Sequence, residues 1–199
     1  MIFATANKHK LREMRELLPE LELEGLPEGV ELPPEDGDSF AAIALEKARA
    51  AHAATGRAAI GDDSGIEAVG LGGRPGILSA RFGGPGASDE ENLEKLLLEV
   101  AAAGEDRRAA YHCALALVDE DGAERVFEAR CEGRLIEAPR GSGGFGYDPA
   151  FVPDATGPTD ERTMAELSQA EKNEISHRGG AARLLAAHLA AREAAPGRR

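Results

Sequence analysis

The adjacent carboxylates Asp62 and Asp63 follow a short apolar segment, residues 58–61, and precede Ser64 and Gly65. This pattern predicts a buried strand that ends at the pair, with a glycine turn after it. Adjacent carboxylates in that position can share a hard cation and orient a water molecule, and magnesium prefers oxygen ligands of this kind. The alternative is a plain Asp-Ser-Gly turn whose carboxylates accept local backbone hydrogen bonds.

A second polar segment, residues 5–10 with the sequence Thr-Ala-Asn-Lys-His-Lys, follows the apolar start of the chain. It predicts a strand, a tight turn and the first turn of a helix. Free amides and the helix dipole bind anions at such a terminus, and Lys10 would add a positive charge. The alternative is an asparagine-capped surface helix with solvated lysines.

Residues 141–149 form a glycine-rich segment that formally contains the dinucleotide fingerprint G-x-G-x-x-G. That fingerprint must open a helix, but Pro149 predicts that Asp148 is extended and that strand or loop follows. We interpret the segment as a flexible loop that presents Phe145 for stacking, with an ordinary turn as the alternative. The sequence has no phosphate-binding G-x-x-x-x-G-K-[ST] loop, which argues against a kinase or a switch GTPase.

Two further segments place cationic donors where an anion or an oxo group could use them. Lys47 falls on the apolar face of a helix predicted from the N-cap Ser39 to about Thr55, and a buried lysine is costly unless an anion meets it. Lys172 and the Ser-His-Arg run at residues 176–178 supply several donors at a helix start, which suit oxo groups on a purine or phosphate oxygens. A capped helix with solvated charges is the alternative for the second segment.

The elements that must position these residues alternate between helix and strand. The sequence predicts a hairpin over residues 111–131, capping boxes at Ser88 and Ser168, and a last helix from about His177. The predicted apolar stripe of that last helix is Ala181, Leu184, Leu185 and Leu189. Residues 70–86 form a long loop rich in glycine and proline, of a kind that is usually functional.

We therefore expect an α/β fold with a mixed, elongated, twisted sheet flanked by helices. Residues 1–192 would form a single domain with room for two lobes and a cleft between them, and residues 193–199 would be a frayed tail.

Composition limits the partners. The chain has 199 residues, of which 42% are hydrophobic and 30% charged, as in an ordinary globular protein, and it has no apolar run long enough for a membrane span or a secretory signal. We expect a cytoplasmic protein with no membrane partner. A formal charge of −13 disfavours a nucleic-acid polymer, because such binding depends on basic patches.

Cys113 and Cys131 have no zinc-ligand spacing and are interpreted as core residues.

The four polar segments together resemble the family of inosine triphosphate pyrophosphatases, also called dITP/XTP pyrophosphatases. The family's T-x-N-x-x-K pattern matches residues 5–10, D-D-S-G matches residues 62–65, G-G-F-G-Y-D-P matches residues 143–149, and S-H-R matches residues 176–178. The segments occur in the family's order, and the similarity covers residues 1–189. Residues 75–82 also look like the family's P-G-[IV]-x-S-A-R-[FY] loop.

The resemblance implies a site, residue by residue. Asp63 matches the general base, and Glu35, Asp62 and Asp63 match carboxylates that bind magnesium. The substrate-binding residues that it implies are Thr5, Asn7, Lys8, Lys10 and Lys47, with phosphate-side groups among them, Ser64 as a substrate contact, and Phe145, Gly146, Tyr147, Asp148, Lys172, His177 and Arg178, most of them on the nucleoside side. Where the family usually has E-N-A, this chain has Ala42, Ile43 and Ala44, so a polar contact near the metal is missing.

The implied activity is hydrolysis of inosine and xanthosine triphosphates, and of the deoxy form of the former, to the monophosphate plus pyrophosphate. The implied partners are small-molecule nucleoside triphosphates, and the implied assembly is a homodimer. The sequence leaves open which of Asp62 and Asp63 is ligand and which is base, and how guanosine triphosphate is rejected. Two other functions remain: a pyrophosphatase for other modified nucleotides, pyrimidines included, and a non-catalytic nucleotide sensor.

Overall fold

The computed structural model describes residues 1–194 and contains a five-stranded sheet with the strand order β1-β2-β3-β4-β5. The strands are β1 (Ile2–Ala4), β2 (Ala59–Ala68), β3 (Arg108–Val118), β4 (Glu124–Leu135) and β5 (Phe151–Pro153). The helices are α1 (Lys8–Leu17), α2 (Phe40–Thr55), α3 (Asp89–Ala103), α4 (Gln169–Ile175) and α5 (His177–Ala194). Because β1 pairs parallel to β2 and β4 pairs antiparallel to β5, the sheet is mixed. The predicted mixed α/β sheet with flanking helices is confirmed.

The helix starts follow local side-chain signals. Asn7 caps α1, and Ser39 caps α2 by accepting a hydrogen bond from the amide of Ala42. Ser88 and Ser168 each form a full capping box with the glutamate three residues later, which confirms both predicted boxes. These caps satisfy amides that have no partner inside the helix, and so they define where α1 to α4 begin.

The described chain divides into two compact units. Unit 1 comprises residues 1–63 and 113–129 and the segment from residue 178 onward, and unit 2 comprises residues 64–112 and 130–177. Unit 1 has an apolar core that includes Phe3, Met14, Ile60, Leu115 and Leu185. Unit 2 has its own core, which includes Ile66, Leu96, Leu135, Phe151 and Met164. Each unit therefore buries enough apolar surface to hold its own polar side chains in fixed positions.

Helix α2 packs directly on the backbone of β2 at Gly61. A Cβ atom at this position would overlap the carbonyl oxygen of Ala44 and lie 2.9 Å from the amide nitrogen of Ala48. Only glycine permits this approach, which brings the inward face of α2 against the strand. Lys47 lies on that face and is buried, as predicted.

Two local predictions, one in α5 and one in the glycine-rich segment, are wrong. Leu184 is 50% exposed, because the buried arc of α5 is centred on Arg178, Ala182 and Leu185 and leaves Leu184 beyond its edge. Asp148 is not extended but begins a single 3-10 turn, Asp148–Ala150, in which Pro149 is tolerated because it occupies the first turn.

The loop predicted over residues 70–86 contains 3-10 turns at Val69–Leu71 and Gly76–Arg81. Its backbone hydrogen bonds include Gly73 to Ala68 and Leu78 to Pro75, which give it regular local structure.

The C-terminal boundary stays a prediction. Helix α5 continues to Ala194, and residues 195–199 of the predicted tail lie outside the described residues. Within residues 1–194, no helix has both the length and the apolar character that a membrane span requires.

Candidate active site

The start of α1 places a lysine beside a buried carboxylate. Asn7 Oδ1 accepts hydrogen bonds from the amides of His9 and Lys10, at 2.8 and 3.3 Å, and the amide of Asn7 itself donates to Thr5 Oγ1 at 3.1 Å. Two amides at the start of α1 thus donate to the side chain of the N-cap residue. Lys8 is exposed, whereas the ammonium of Lys10 contacts Asp62 Oδ1. The predicted cation is present, with a protein carboxylate beside it.

Asp62 is buried in β2 among cationic groups of unit 1. Arg178 Nε donates to Asp62 Oδ2 at 3.0 Å, and the Cys113 thiol lies 3.6 Å from the same oxygen. Burial alone would raise the pKa of Asp62, but the charges of Arg178 and Lys10 outweigh it and hold the pKa well below its ordinary value. Asp62 is therefore a permanent anion that fixes two cations.

Asp63 belongs to a different cluster of unit 1. The Lys47 ammonium lies 2.9 Å from Asp63 Oδ1, contacts Glu35 Oε1, and donates to the carbonyl of Asp62 at 3.2 Å. Burial raises the pKa of Asp63 above its ordinary value, although Lys47 and Lys10 oppose the shift. Burial alone would lower the pKa of Lys47, but Asp63 and Glu35 reverse this and raise it. The lysine therefore stays charged between two carboxylates.

The predicted glycine turn after Asp63 is wrong, because β2 continues through Ser64 and Gly65 to Ala68. Successive side chains of a strand point to opposite faces, so Asp62 and Asp63 diverge. The cores show the same alternation: Ile60, on the face of Asp62, packs with Phe3, whereas Ala59 packs with Ile2. Adjacency in the sequence thus gives two separate carboxylates with different partners.

Unit 2 contains a second buried polar group, centred on Asp148. Its Oδ2 accepts from Lys172 Nζ at 2.7 Å and from the amide of Phe145 at 2.9 Å, and its Oδ1 accepts from the Tyr111 hydroxyl at 3.1 Å. Burial raises the pKa of Tyr111 well above its ordinary value, so the hydroxyl keeps its proton and donates. Three donors therefore fix the carboxylate.

Aromatic rings line the same group. The rings of Tyr111 and His177 stack in parallel, with centroids 4.5 Å apart and an interplanar angle of 4°. The Lys172 ammonium lies 5.0 Å from the centroid of the Phe145 ring, and Phe145 is partly exposed. The predicted platform thus carries a cation near its ring, an arrangement worth about 0.5–2 kcal/mol in general.

The remaining residues of the predicted nucleoside side have other contacts. The amide of Gly146 donates to Asp89 at 2.8 Å, and the hydroxyl of Tyr147 donates to the carbonyl of Ser79 at 2.7 Å. Tyr147 is buried, and its ring packs against other residues in the interior. Ser64 lies within β2 and is half-buried.

Arg178, which the resemblance puts on the nucleoside side, contacts carboxylates of unit 1. Its guanidinium, only 2% exposed, donates to Asp62 and Glu13 in unit 1, whereas its sequence neighbour His177 stacks on Tyr111 in unit 2.

Sequence reasoning missed Glu13, Tyr111 and the position of Cys113 beside Asp62. Glu13 follows Lys10 by three residues, a spacing that puts both on one helical face, so a signal was available. Tyr111 and Cys113 lie in an apolar strand, and nothing in the local pattern distinguishes them from core residues.

Of the three carboxylates that the resemblance implies for magnesium, Glu35 and Asp63 fit such an ion together. Among residues 1–194, no group of three or more histidine, cysteine, aspartate or glutamate side chains converges on one point. Magnesium is, however, commonly held by one or two carboxylates together with substrate phosphates and water. Glu35 and Asp63 both reach the Lys47 ammonium and can serve as such a pair, whereas Asp62 points to the opposite face of β2.

These observations define a mixed α/β protein with a buried, charged side-chain group in each of its two units. A family model described as the Ham1 family matches residues 1–188, and the chain belongs to this family. The predicted family membership is confirmed.

The sequence is similar to those of named relatives over nearly the whole chain. The chain is 44% identical to a dITP/XTP pyrophosphatase from Geobacter sulfurreducens, covering 95% of this chain and 96% of the relative. It is 47% identical to a protein of the same name from Symbiobacterium thermophilum, covering 91% and 90%. A solved HAM1 protein from Coxiella burnetii superposes with a TM-score of 0.84 at 40% identity, covering 96% of this chain and 98% of that one.

Proposed function

We propose that the chain hydrolyses non-standard purine nucleoside triphosphates, such as inosine and xanthosine triphosphates, to the monophosphate and pyrophosphate. The observation that carries the proposal is the group formed by the buried Lys47 and Asp63 with the partly exposed Glu35, which combines a cation for phosphate with two carboxylates suited to a metal and a water molecule. The names of the relatives support the same reaction class.

Asp63 is the proposed general base. Its raised pKa makes it a better proton acceptor than an ordinary aspartate, and the Lys47 ammonium keeps its carboxylate in place. Asp63 takes a proton from water while the water oxygen bonds to the α-phosphorus of the α,β-anhydride. The anhydride P–O bond breaks, and pyrophosphate leaves with the bonding electron pair.

The other groups of unit 1 position the triphosphate. Glu35 and Asp63 would hold a magnesium ion, which when bound would neutralise charge on the phosphate oxygens. Lys10 and Lys47 add fixed positive charge for the same oxygens, and Asp62 fixes Lys10. Positioning and charge stabilisation would supply most of the rate enhancement.

The buried group of unit 2 is proposed to recognise the base of the nucleotide. Lys172, beside the Phe145 ring, is a donor suited to a 6-oxo group, and the ring offers a stacking surface. An adenine 6-amino group would leave such donors unpaired, at a cost of roughly 1–3 kcal/mol for each. The proposal therefore predicts strong rejection of adenosine triphosphate.

A substrate panel tests the proposal. Pyrophosphate release would be measured with inosine, xanthosine, guanosine, adenosine and methylated pyrimidine triphosphates, each with and without magnesium. We expect magnesium-dependent turnover, highest with the inosine and xanthosine compounds. Equal turnover of all would contradict the base preference, and tight binding without any turnover would favour the nucleotide sensor.

The assembly and the compartment stay predictions that rest on the family resemblance and the composition. We propose a homodimer located in the cytoplasm. Sedimentation of the purified chain would give the mass of the assembly, and a monomer at micromolar concentration would contradict the first part.

A further inference from the structure

Four contacting side chains of unit 1, three of them buried and one partly buried, alternate in charge: Lys10, Asp62, Arg178 and Glu13. Lys10 contacts Asp62 Oδ1, Arg178 Nε donates to Asp62 Oδ2 at 3.0 Å, and Arg178 Nη1 donates to Glu13 Oε2 at 2.8 Å. Their formal charges sum to zero. The Glu13 side chain is 6% exposed, Arg178 2% and Asp62 0%, whereas Lys10 is 13% exposed, so Lys10 is the member that an incoming anion reaches most easily.

Glu13 is an unusual choice for its position. It is buried in α1 next to Met14, in a helix whose other buried positions pack into the apolar core of unit 1. A buried carboxylate is costly unless it is paired. The pairing with Arg178 offsets that cost, but an apolar residue at this position would avoid it, so stability alone gives little reason for a glutamate here.

The guanidinium geometry shows what the pairing does. A guanidinium is a rigid plane with donors in a fixed fork. Asp62 accepts from Nε and Glu13 accepts from Nη1, so the plane is held at two points. Arg178 Nε donates to Oδ2 of Asp62, and the Lys10 ammonium contacts the other oxygen, Oδ1.

We infer that Glu13 is a positioning residue for triphosphate binding, acting through Arg178 and Asp62 on Lys10. Without the Glu13 charge, the Arg178 guanidinium loses one of the two carboxylates that orient it and can take both oxygens of Asp62 in a bidentate pair, the arrangement that arginine and carboxylate favour. Lys10 then loses its fixed position. This inference rests on the proposed function, because it assigns Lys10 to the phosphates.

Inorganic tripolyphosphate is the probe, because it has the charge of the substrate and no base. Its inhibition constant against inosine triphosphate hydrolysis would be measured for the wild type, Glu13→Gln, Lys10→Met and the double variant. We expect Glu13→Gln to weaken inhibition about tenfold, which corresponds to about 1.4 kcal/mol. The double variant should be no weaker than Lys10→Met alone, since Glu13 acts through Lys10.

The controls separate positioning from folding. Glu16→Gln removes an exposed carboxylate from the same helix and should leave the inhibition constant unchanged. A merely structural role for Glu13 would reduce the folded fraction and the apparent kcat, but an inhibition constant does not depend on how much enzyme is active. Glu13→Asp, which keeps the charge on a shorter side chain, should give an intermediate constant and serves as the test variant if Glu13→Gln does not fold.

The outcomes distinguish the inference from the proposed function. A chain that does not hydrolyse inosine triphosphate contradicts the proposed function. A wild type that hydrolyses it but is not inhibited by tripolyphosphate overturns the inference, because Lys10 then does not bind the phosphates. A wild type that is inhibited, with a folded Glu13→Gln or Glu13→Asp variant of equal inhibition constant, overturns the role of Glu13. Additive losses in the double variant overturn the route through Lys10.

Discussion

The Lys47 ammonium lies 2.9 Å from Asp63 Oδ1, and no more than 8% of either side chain is exposed. The pair joins the inward face of α2 to the middle of β2, and it depends on the close approach of the two elements at Gly61. A carboxylate held by a buried cation has a defined direction, which the proposed role of Asp63 as a general base requires for proton transfer from a positioned water molecule.

Asp63→Asn should abolish pyrophosphate release while leaving much of the nucleotide binding. Asparagine keeps the shape of the side chain but cannot accept the proton, and we expect a loss of about 10²–10⁴-fold in kcat. Release would be followed by a coupled phosphate assay and binding by calorimetry. Glu120→Gln, which removes an exposed carboxylate at the hairpin turn, is the matched control. An unchanged rate in Asp63→Asn would rule out the base assignment.

Much of the fold could be predicted because its signals are local. The caps at Asn7, Ser39, Ser88 and Ser168 depend on residues three or fewer positions apart, and the inward position of Lys47 follows from helical periodicity. Hydrogen bonds of this short range depend on which residue types are close neighbours in the sequence, so the sequence alone predicts them.

The partners of the site residues could not be predicted in the same way. Arg178 reaches Asp62 across 116 residues of sequence and Glu13 across 165, and such contacts depend on the packing of whole elements. The turn expected after Asp63 does not form, because β2 continues to Ala68 as the sheet neighbour of β3, and membership of the sheet outweighs the local turn preference of Asp-Ser-Gly. Family resemblance named the residues but did not give their contacts.

Tyr111→Phe should impair use of the nucleoside and leave polyphosphate binding intact. The change removes a donor to Asp148 but keeps the ring that stacks on His177. Loss of a buried hydrogen bond to a charged group should lower the free energy of unfolding by about 1–3 kcal/mol. We expect kcat/KM for inosine triphosphate to fall several-fold, with no change in the tripolyphosphate inhibition constant.

Thr163→Val is the matched control for this change, because the Thr163 hydroxyl is also buried but donates to the carbonyl of Arg140, outside the implied site. It should cost about 1 kcal/mol of stability and leave kcat/KM unaltered. Equal kinetic losses in both variants would show that Tyr111 acts through stability alone.

The two cysteines should resist alkylation in the native protein. Both thiols are buried; burial raises the pKa of Cys131 to about 12 and that of Cys113 well above its ordinary value. At pH 8 the thiolate fraction of Cys131 is then more than about a thousandfold below that of a free cysteine. Mass spectrometry after iodoacetamide treatment should show no label without urea and two labels with it. Rapid native labelling of either residue would contradict its burial.

The charge of Glu171 should stabilise the protein at neutral pH and not in strong acid. Hydrogen bonds from Ser168 and the contact with Arg162 lower the pKa of Glu171 to about 2 from an ordinary 4.5. A lowered carboxyl pKa gives stability that is fully present above the unfolded value and is lost as the pH falls through the folded one. Glu171→Gln should therefore be less stable than wild type at pH 7, and the difference should shrink between pH 4.5 and 2. Urea titrations at several pH values measure it, with exposed Glu174→Gln as the control, and a difference independent of pH would refute the charge effect.

Gly61→Ala should disrupt both the fold and the Lys47–Asp63 pair. The added Cβ would overlap the carbonyl oxygen of Ala44, a backbone atom that cannot move without displacing α2, and we expect a loss of at least about 3 kcal/mol in the free energy of unfolding. Gly25→Ala is the matched control, because its Cβ would meet only the flexible end of Leu11 at 3.2 Å. Because α2 carries Lys47, any folded Gly61→Ala protein should also release pyrophosphate more slowly than the Gly25→Ala variant. Comparable urea midpoints for the two variants would show that α2 does not need this approach to the strand.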